Sequence, residues 1–217
     1  DQRAKFGGRR LKRKDSAWKQ NRIVDRAQEG KPFGFSGLSL TAKKKGAKVG
    51  YRVEADEKTI YVNYRRHPKG APAEVQAGKK VLATLDGKGA VQTRTDRITV
   101  PAKTKQITVV AQGRGFQLLG LSFEKDRAGV VYSSIGPVGA DAKVYLDLED
   151  QSMAEALADH KPDLVVVMVG GNDALKARKK WRSMDEVRGH HEQLIDRIRR
   201  MAPEAEILMW APMDAGR

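Results

Sequence analysis

From residue 36 to residue 125, apolar side chains recur at every second position between short breaks. Ile60, Val62 and Tyr64 alternate with Tyr61, Asn63 and Arg65. Val75, Ala77, Val81, Ala83 and Leu85 follow, then Ile98 and Val100 before Pro101, Ile107, Val109 and Ala111 before Gly113, and Leu119, Leu121 and Phe123. A side chain pointing inward at every second residue is the pattern of a strand with one buried face. The breaks hold Gly70, Gly78, Gly87, Gly89, Gly113 and Gly115, residues suited to turns. Strands of this length with no helical period between them predict an antiparallel sandwich or jelly roll over residues 36–125.

The pattern changes after residue 126. Val130–Tyr132 predicts a short buried strand ending at Gly136. Asp150–His160 has helical spacing, with Met153, Ala156 and Leu157 on one face. Leu164–Val169 is a continuous apolar run ending in Gly170-Gly171, as in a parallel strand buried on both faces. Asp185–Met201 is a second helix, with Val187, Leu194, Ile195 and Ile198 inward, and Ile207–Trp210 another strand. The order β-α-β-α-β predicts a parallel sheet with flanking helices over 126–217. Ligands in such sheets sit beyond the carboxyl ends of the strands. The loops Gly136–Gly139, Gly170–Asp173 and Ala211–Asp214 fall on that edge.

Residues 1–35 carry glycine breaks and the basic run Arg9–Lys14, but no apolar period; they are expected to be a solvated, basic connecting arm. The net charge of +15 is uneven: +7 over residues 1–22, +11 over 36–125 and −3 over 126–217. A basic front attracts polyanions. For nucleic acid, charge is the only motive: aromatics make up 6% of the residues and no recognition motif is present. The longest apolar run is far below the ~20 residues of a membrane-spanning helix. The chain has no cysteine, which excludes disulfides and thiolate metal sites. No His-x-x-x-His or His/carboxylate cluster indicates a metal, and no cofactor motif is found. No oligomeric state follows from the sequence.

The stretch most suggestive of chemistry is Leu164–Val169 followed by Gly170-Gly171-Asn172-Asp173. A buried strand delivers Asn172 to the functional edge, where its side-chain amide could donate to a developing oxyanion. Capping of the next helix by Asn172-Asp173 explains the same residues equally well. Lys176, Arg178, Lys179, Lys180, Trp181 and Arg182 follow closely; they would contact an anionic substrate or form a solvated helix surface. Lys179 and Trp181 are the candidates for substrate binding, with Trp181 and Tyr145 able to stack on a sugar ring. Gly37-Leu38-Ser39-Leu40-Thr41 offers Ser39 as a nucleophile, but a serine nucleophile belongs at a strand-to-helix turn, and this segment reads as the first sandwich strand. His190 and His191 fall mid-helix, His160 at a helix end and His67 in a sandwich turn, positions that suit structural roles.

Gly-Gly-Asn-Asp after a hydrophobic strand resembles the third block of the SGNH/GDSL hydrolases. The second block would be Ser133-Ser134-Ile135-Gly136-Pro137-Val138-Gly139-Ala140. The resemblance implies that the Gly139 N–H and the Asn172 side-chain N–H share one oxyanion hole. The sandwich lying directly before the second block is similar to the insert of certain bacterial peptidoglycan and polysaccharide O-acetylesterases. Gly34–Leu40, Leu119–Glu124 and the strand and loop Ile207–Asp214 also resemble that subgroup. The implied fold is an SGNH-like α/β sheet, incomplete here, with an inserted sandwich that holds carbohydrate. The implied activity is removal of acyl groups, acetyl above all, from a glycan, with the basic sandwich favouring an anionic one; the implied location is exported. Such enzymes need a Gly-Asp-Ser nucleophile and an Asp-x-x-His pair, and neither motif occurs in residues 1–217. The expectation is therefore a partial chain whose nucleophile and base lie outside it; a catalytically inactive glycan- or polyanion-binding relative is the alternative.

Overall fold

The computed structural model describes residues 11–14, 16–24, 33, 37–125, 127–133 and 135–211. The chain forms two compact units. The first comprises Asp1–Arg22 and Pro32–Ile135, the second Ile23–Lys31 and Gly136–Arg217. Gly34–Ser36, Ser134 and Pro212–Asp214 lie outside the described residues.

The first unit is the sandwich. One sheet has the order β1-β4-β9-β6-β7, from Leu11–Lys14, Lys48–Arg52, Gln106–Ala111, Ala73–Ala77 and Lys80–Leu85. The other has the order β2-β3-β10-β5-β8, from Trp18–Arg22, Leu38–Ala42, Gln117–Lys125, Glu57–Arg66 and Gln92–Thr99. Every ladder in both sheets is antiparallel. Most of the alternating residues face inward as expected: Ile60, Val62 and Tyr64 from β5 meet Val49, Tyr51, Val75, Ile107 and Val109 in one core, whereas Val81, on the edge strand β7, is exposed. Inter-sheet packing of this kind is what period-2 alternation encodes. Tyr64 and Phe116 stack with ring centroids 5.8 Å apart.

Two of these strands fall inside residues 1–35, expected as a connecting arm. Strand β2 pairs with β3, Trp18 opposite Ala42 and Arg22 opposite Leu38, and β1 pairs with β4. Both are edge strands. An edge strand is held by backbone hydrogen bonds along one side and needs little apolar patterning, and Lys and Arg on an edge discourage further pairing. In β2 the only fully buried side chain is Trp18, so the strand gave no period.

The second unit is α/β. Helix α1 is Ala142–Leu146, α2 Asp150–His160, α3 Gly171–Arg178 and α4 Met184–Met201; β11 (Leu164–Val167) and β12 (Glu206–Met209) pair in parallel, Leu164 opposite Glu206 and Val167 opposite Met209. Helix α2 buries Met153, Ala156 and Leu157, and α4 buries Val187, Leu194 and Ile198, the faces their spacing predicted. Ser183 and Glu186 close a reciprocal capping box at the start of α4.

Two expectations fail in this unit. Val130–Tyr132 is not a strand: Val130 is 95% exposed and Tyr132 74%. A strand exists only through its ladder, and no described residue pairs with this segment. The run from Leu164 is not buried on both faces either, since Leu164, Val166 and Met168 are exposed. One face of β11 packs, with Val167 buried; the other has no covering layer among the described residues.

Candidate active site

The site begins where β11 ends. After Val167 the chain passes through Gly170, whose φ of 138° is closed to ordinary side chains, into α3. Gly170 is the N-cap residue and no side chain caps the helix. Asn172 and Asp173 therefore do not cap α3. Both reach instead to the loop of the second block. The Asn172 side-chain nitrogen donates to the Ala140 carbonyl at 2.8 Å. The Asp173 carboxylate, fully buried, accepts from the Ala142 N–H at 3.3 Å and 3.4 Å.

The loop itself turns sharply. The Ala140 N–H donates to the Pro137 carbonyl at 3.1 Å, and Gly139 has φ 86°. Positive φ at the third of four turn residues is the signature of a type II turn and calls for glycine. Gly139 is exposed, and its N–H donates to no described residue. So the chain brings an unused backbone N–H next to a residue whose carbonyl is held by Asn172. One of the two Asn172 Nδ2 hydrogens is committed to Ala140; the other donates to no described residue.

Asp141 anchors the same loop. It is the N-cap of α1, accepting from the Val144 N–H at 3.1 Å, and its side chain has no exposed surface. Lys176 from α3 donates to its Oδ2 at 2.5 Å, and Arg182 beyond α3 donates to the same oxygen. Burial alone would raise the pKa of this carboxyl. The Lys176 hydrogen bond, the Val144 N–H and the two cationic charges outweigh burial and hold it below the ordinary carboxylate value. Arg197, buried on α4, donates to the carbonyls of Tyr145 and Leu146 at 2.8 and 2.9 Å and to that of Leu148, and pairs with Asp150. It adds a side-chain donor to carbonyls at and just beyond the end of α1, where the helical bonds run out.

Of the basic run after Asn172, Lys176 and Arg182 thus turn inward, while Arg178, Lys179 and Lys180 are exposed. Trp181 is 67% exposed, and the Lys179 ammonium lies 4.6 Å from its ring centroid. Tyr145 is half-buried, its hydroxyl pushed up to about 12 by burial. Ser39 sits in the middle of a sandwich strand, buried, with its hydroxyl accepting from Asn21 at 3.4 Å. His191 bonds the Val187 carbonyl within its own helix, and His67 the Gly115 carbonyl. No group of three or more metal-ligating side chains occurs among the described residues.

Sequence reasoning missed Asp141 and Arg197, and placed Asp173 on the functional edge without its tie to Ala142. Arg197 left a signal: it lies three residues from Leu194 on the apolar stripe of α4, and a charge on a buried stripe demands partners. The five-residue α1 is too short to show a period.

No curated protein matches the chain. Among solved structures, the C-terminal CBM6 of LamC, a marine laminarinase from Zobellia galactanivorans, is similar at 16% identity and TM-score 0.36, covering 51% of this chain and 90% of that one. A carbohydrate-binding module of Cellvibrio mixtus lichenase 5A, in complex with cellotriose, is similar at 14% identity and TM-score 0.36, covering 54% and 92%. A family 35 carbohydrate-binding module from an environmental isolate gives 18% identity and TM-score 0.37, covering 52% and 91%. The family model of the GDSL-like Lipase/Acylhydrolase family matches residues 121–217. The part of the chain that carries Gly139, Asp141 and Asn172 is therefore similar to the GDSL-like Lipase/Acylhydrolase family over residues 121–217, and a β-sandwich lies before it in the sequence.

Proposed function

We propose that the protein is an ester hydrolase that removes acyl groups, chiefly acetyl, from a carbohydrate polymer by a serine mechanism. The observation that carries this reading is the approach of Asn172 to the Gly139 turn, with the Gly139 N–H unused. A serine oxygen attacks the acyl carbon while a histidine takes its proton; the carbonyl oxygen becomes an anion and accepts from the Gly139 N–H and the free Asn172 N–H. Collapse of that intermediate expels the sugar hydroxyl with the proton returned by the histidine, and water then releases the acid from the acyl-enzyme by the same route. The serine and the Asp/His pair come from outside residues 1–217. Lys179 and Trp181 contact the glycan beside the reacting ester, with the indole face against a sugar ring. The basic sandwich, at +11 over residues 36–125, suits an anionic glycan. The resemblance to exported O-acetylesterases supports a location outside the cytoplasm.

The test is Asn172→Ala in the full-length protein, with p-nitrophenyl acetate and an acetylated polysaccharide as substrates. Loss of one oxyanion donor lowers kcat by about 10²–10³-fold. An unchanged kcat refutes the role of Asn172. A full-length wild-type protein that cleaves neither substrate but retains the polysaccharide points to the alternative, a catalytically inactive glycan-binding protein.

A further inference from the structure

Three consecutive residues of the loop that follows Gly139 are tied to the α3 segment. The Ala140 carbonyl accepts from Asn172, the Ala142 N–H donates to Asp173, and between them Asp141 is held by Lys176 and Arg182. The first two ties are single neutral or singly charged hydrogen bonds to backbone. The third is of another kind. It places one fully buried carboxylate against two cations that are themselves mostly withdrawn from water, Lys176 27% and Arg182 16% exposed. Charge-assisted bonds are shorter and about twice as strong as neutral ones, and a buried carboxylate cannot give up its partners without a large penalty. The two cations come from opposite ends of a stretch of backbone, one inside α3 and one past its C-terminus. Asp141 cannot slide along the helix without losing one of them.

We infer that the Asp141–Lys176–Arg182 cluster is an electrostatic clasp that fixes the distance between the Gly139 N–H and the Asn172 amide, which makes Asp141 a positioning residue for the oxyanion hole. This rests on the assignment of Gly139 and Asn172 as oxyanion donors under the proposed function. Two N–H groups on different segments serve one oxygen only if their spacing is held to a fraction of an ångström, since donors must lie about 2.7–3.1 Å from the oxyanion. Neither Gly139, in an exposed turn, nor Asn172, with its Ala140 bond alone, supplies that restraint. Asp141 is two residues from Gly139, and Lys176 is four residues, one helical turn, from Asn172. The clasp therefore backs the direct Asn172–Ala140 bond with a charged tie two residues from one donor and one helical turn from the other. Its cations do not need to meet the substrate, which explains why Lys176 and Arg182 face inward while Lys179 and Trp181 stay exposed.

The test uses Asp141→Asn, which retains the size of the side chain and its capacity to cap α1, alongside Lys176→Met, Arg182→Met and the conservative Lys176→Arg. Two readouts are taken on each. The first is the amide spectrum of the chain labelled with nitrogen-15, following the Gly139 N–H, the Asn172 side-chain NH2 and the hydrogen exchange of Ala142 and Val144. Exchange at Ala142 and Val144 rises about tenfold or more in Asp141→Asn and both Met variants, the Asn172 side-chain resonances move, and Lys176→Arg restores both. The second is hydrolysis of p-nitrophenyl acetate by the full-length protein, where kcat falls about tenfold with KM held, the mark of an interaction made in the transition state. Unchanged exchange and unchanged Asn172 resonances in Asp141→Asn overturn the clasp whatever the enzymology gives. A loop loosened in the spectrum with kcat unaltered overturns the positioning role. An Asn172→Ala protein that keeps full kcat sinks the oxyanion assignment and leaves the spectral result to stand alone.

Discussion

Replacing Arg197 by Met should unfold the α/β unit selectively. The side chain is 5% exposed and serves three backbone carbonyls, those of Tyr145, Leu146 and Leu148. Met fills much of the same volume and donates nothing. The Tyr145 and Leu146 segments are partly open to water, so their carbonyls can rehydrate, and each loss is worth about 1 kcal/mol. Leu148 is buried, and a carbonyl left there without a donor costs about 1–3 kcal/mol. The pair with Asp150 adds little, because that carboxylate is 75% exposed. The total is about 3–5 kcal/mol, against a few kcal/mol gained by burying a thioether in place of a guanidinium only if the carbonyls find new partners. With an m-value of ~1.5 kcal/mol per molar, the urea midpoint falls by about 2–3 M, or the unit is unfolded in buffer. The two units can be read separately in one sample. All helices among the described residues belong to the α/β unit, so ellipticity at 222 nm follows it. Trp18 is buried in the sandwich, whereas Trp181 and Trp210 are already exposed, so the change in tryptophan emission follows the sandwich. Arg197→Lys keeps the charge but not the fork that reaches several carbonyls at once, and falls between wild type and Met. A midpoint at 222 nm lowered by less than about 0.5 M, or an equal fall in the tryptophan transition, refutes this account of Arg197.

Two further outcomes follow from the same geometry. The lowered Asp141 carboxyl means the folded α/β unit binds that proton less readily than the unfolded chain does. The clasp's contribution is therefore complete above the ordinary aspartate value near 4 and is lost as pH falls through the lower folded value. Urea midpoints at 222 nm measured between about pH 5 and pH 2 should fall more steeply for wild type than for Asp141→Asn; parallel curves contradict the linkage. Trp181→Ala removes an exposed indole and the cation–π partner of Lys179. It should raise KM for an acetylated polysaccharide about 3–10-fold more than KM for p-nitrophenyl acetate, the scale of one aromatic contact, and equal changes for both substrates remove Trp181 from glycan binding.

The fold was legible wherever an element's own residues determine its burial. Strand β5 shows its inward face at Ile60, Val62 and Tyr64, and α2 and α4 show theirs at Met153, Ala156 and Leu157 and at Val187, Leu194 and Ile198. It was illegible where a strand depends on a partner distant in sequence. Strand β2 carries one buried side chain and is held through β3, while Val130–Tyr132 is as apolar as any strand in the chain and has no ladder. Apolar composition states that a segment can be buried; a neighbour with free N–H and C=O groups decides whether it is.

The site divides the same way. Gly-Gly-Asn-Asp after an apolar run could be read directly, because strand, glycines and amide are contiguous, yet the same four residues fitted helix capping equally well. What separates the two readings is the Ala140 carbonyl, which lies 32 residues away in sequence and 2.8 Å away in space. The clasp is harder still to foresee, since its three residues are spread over Asp141, Lys176 and Arg182 and each has an ordinary local meaning: an N-cap, a helix lysine and a loop arginine. Charge counts obscure it further. Six basic or aromatic residues in seven positions look like one cationic surface, but a surface charge and a buried counter-charge differ only in which way the helix turns them. On α3 that turn is set by Asn172 and Asp173 at the start of the helix. Both must face the loop that holds Ala140 and Ala142, and Lys176, one turn on, is then directed at Asp141 between them. The asparagine proposed for the oxyanion, with the aspartate beside it, thus also determines which lysine becomes structural and which stay at the surface.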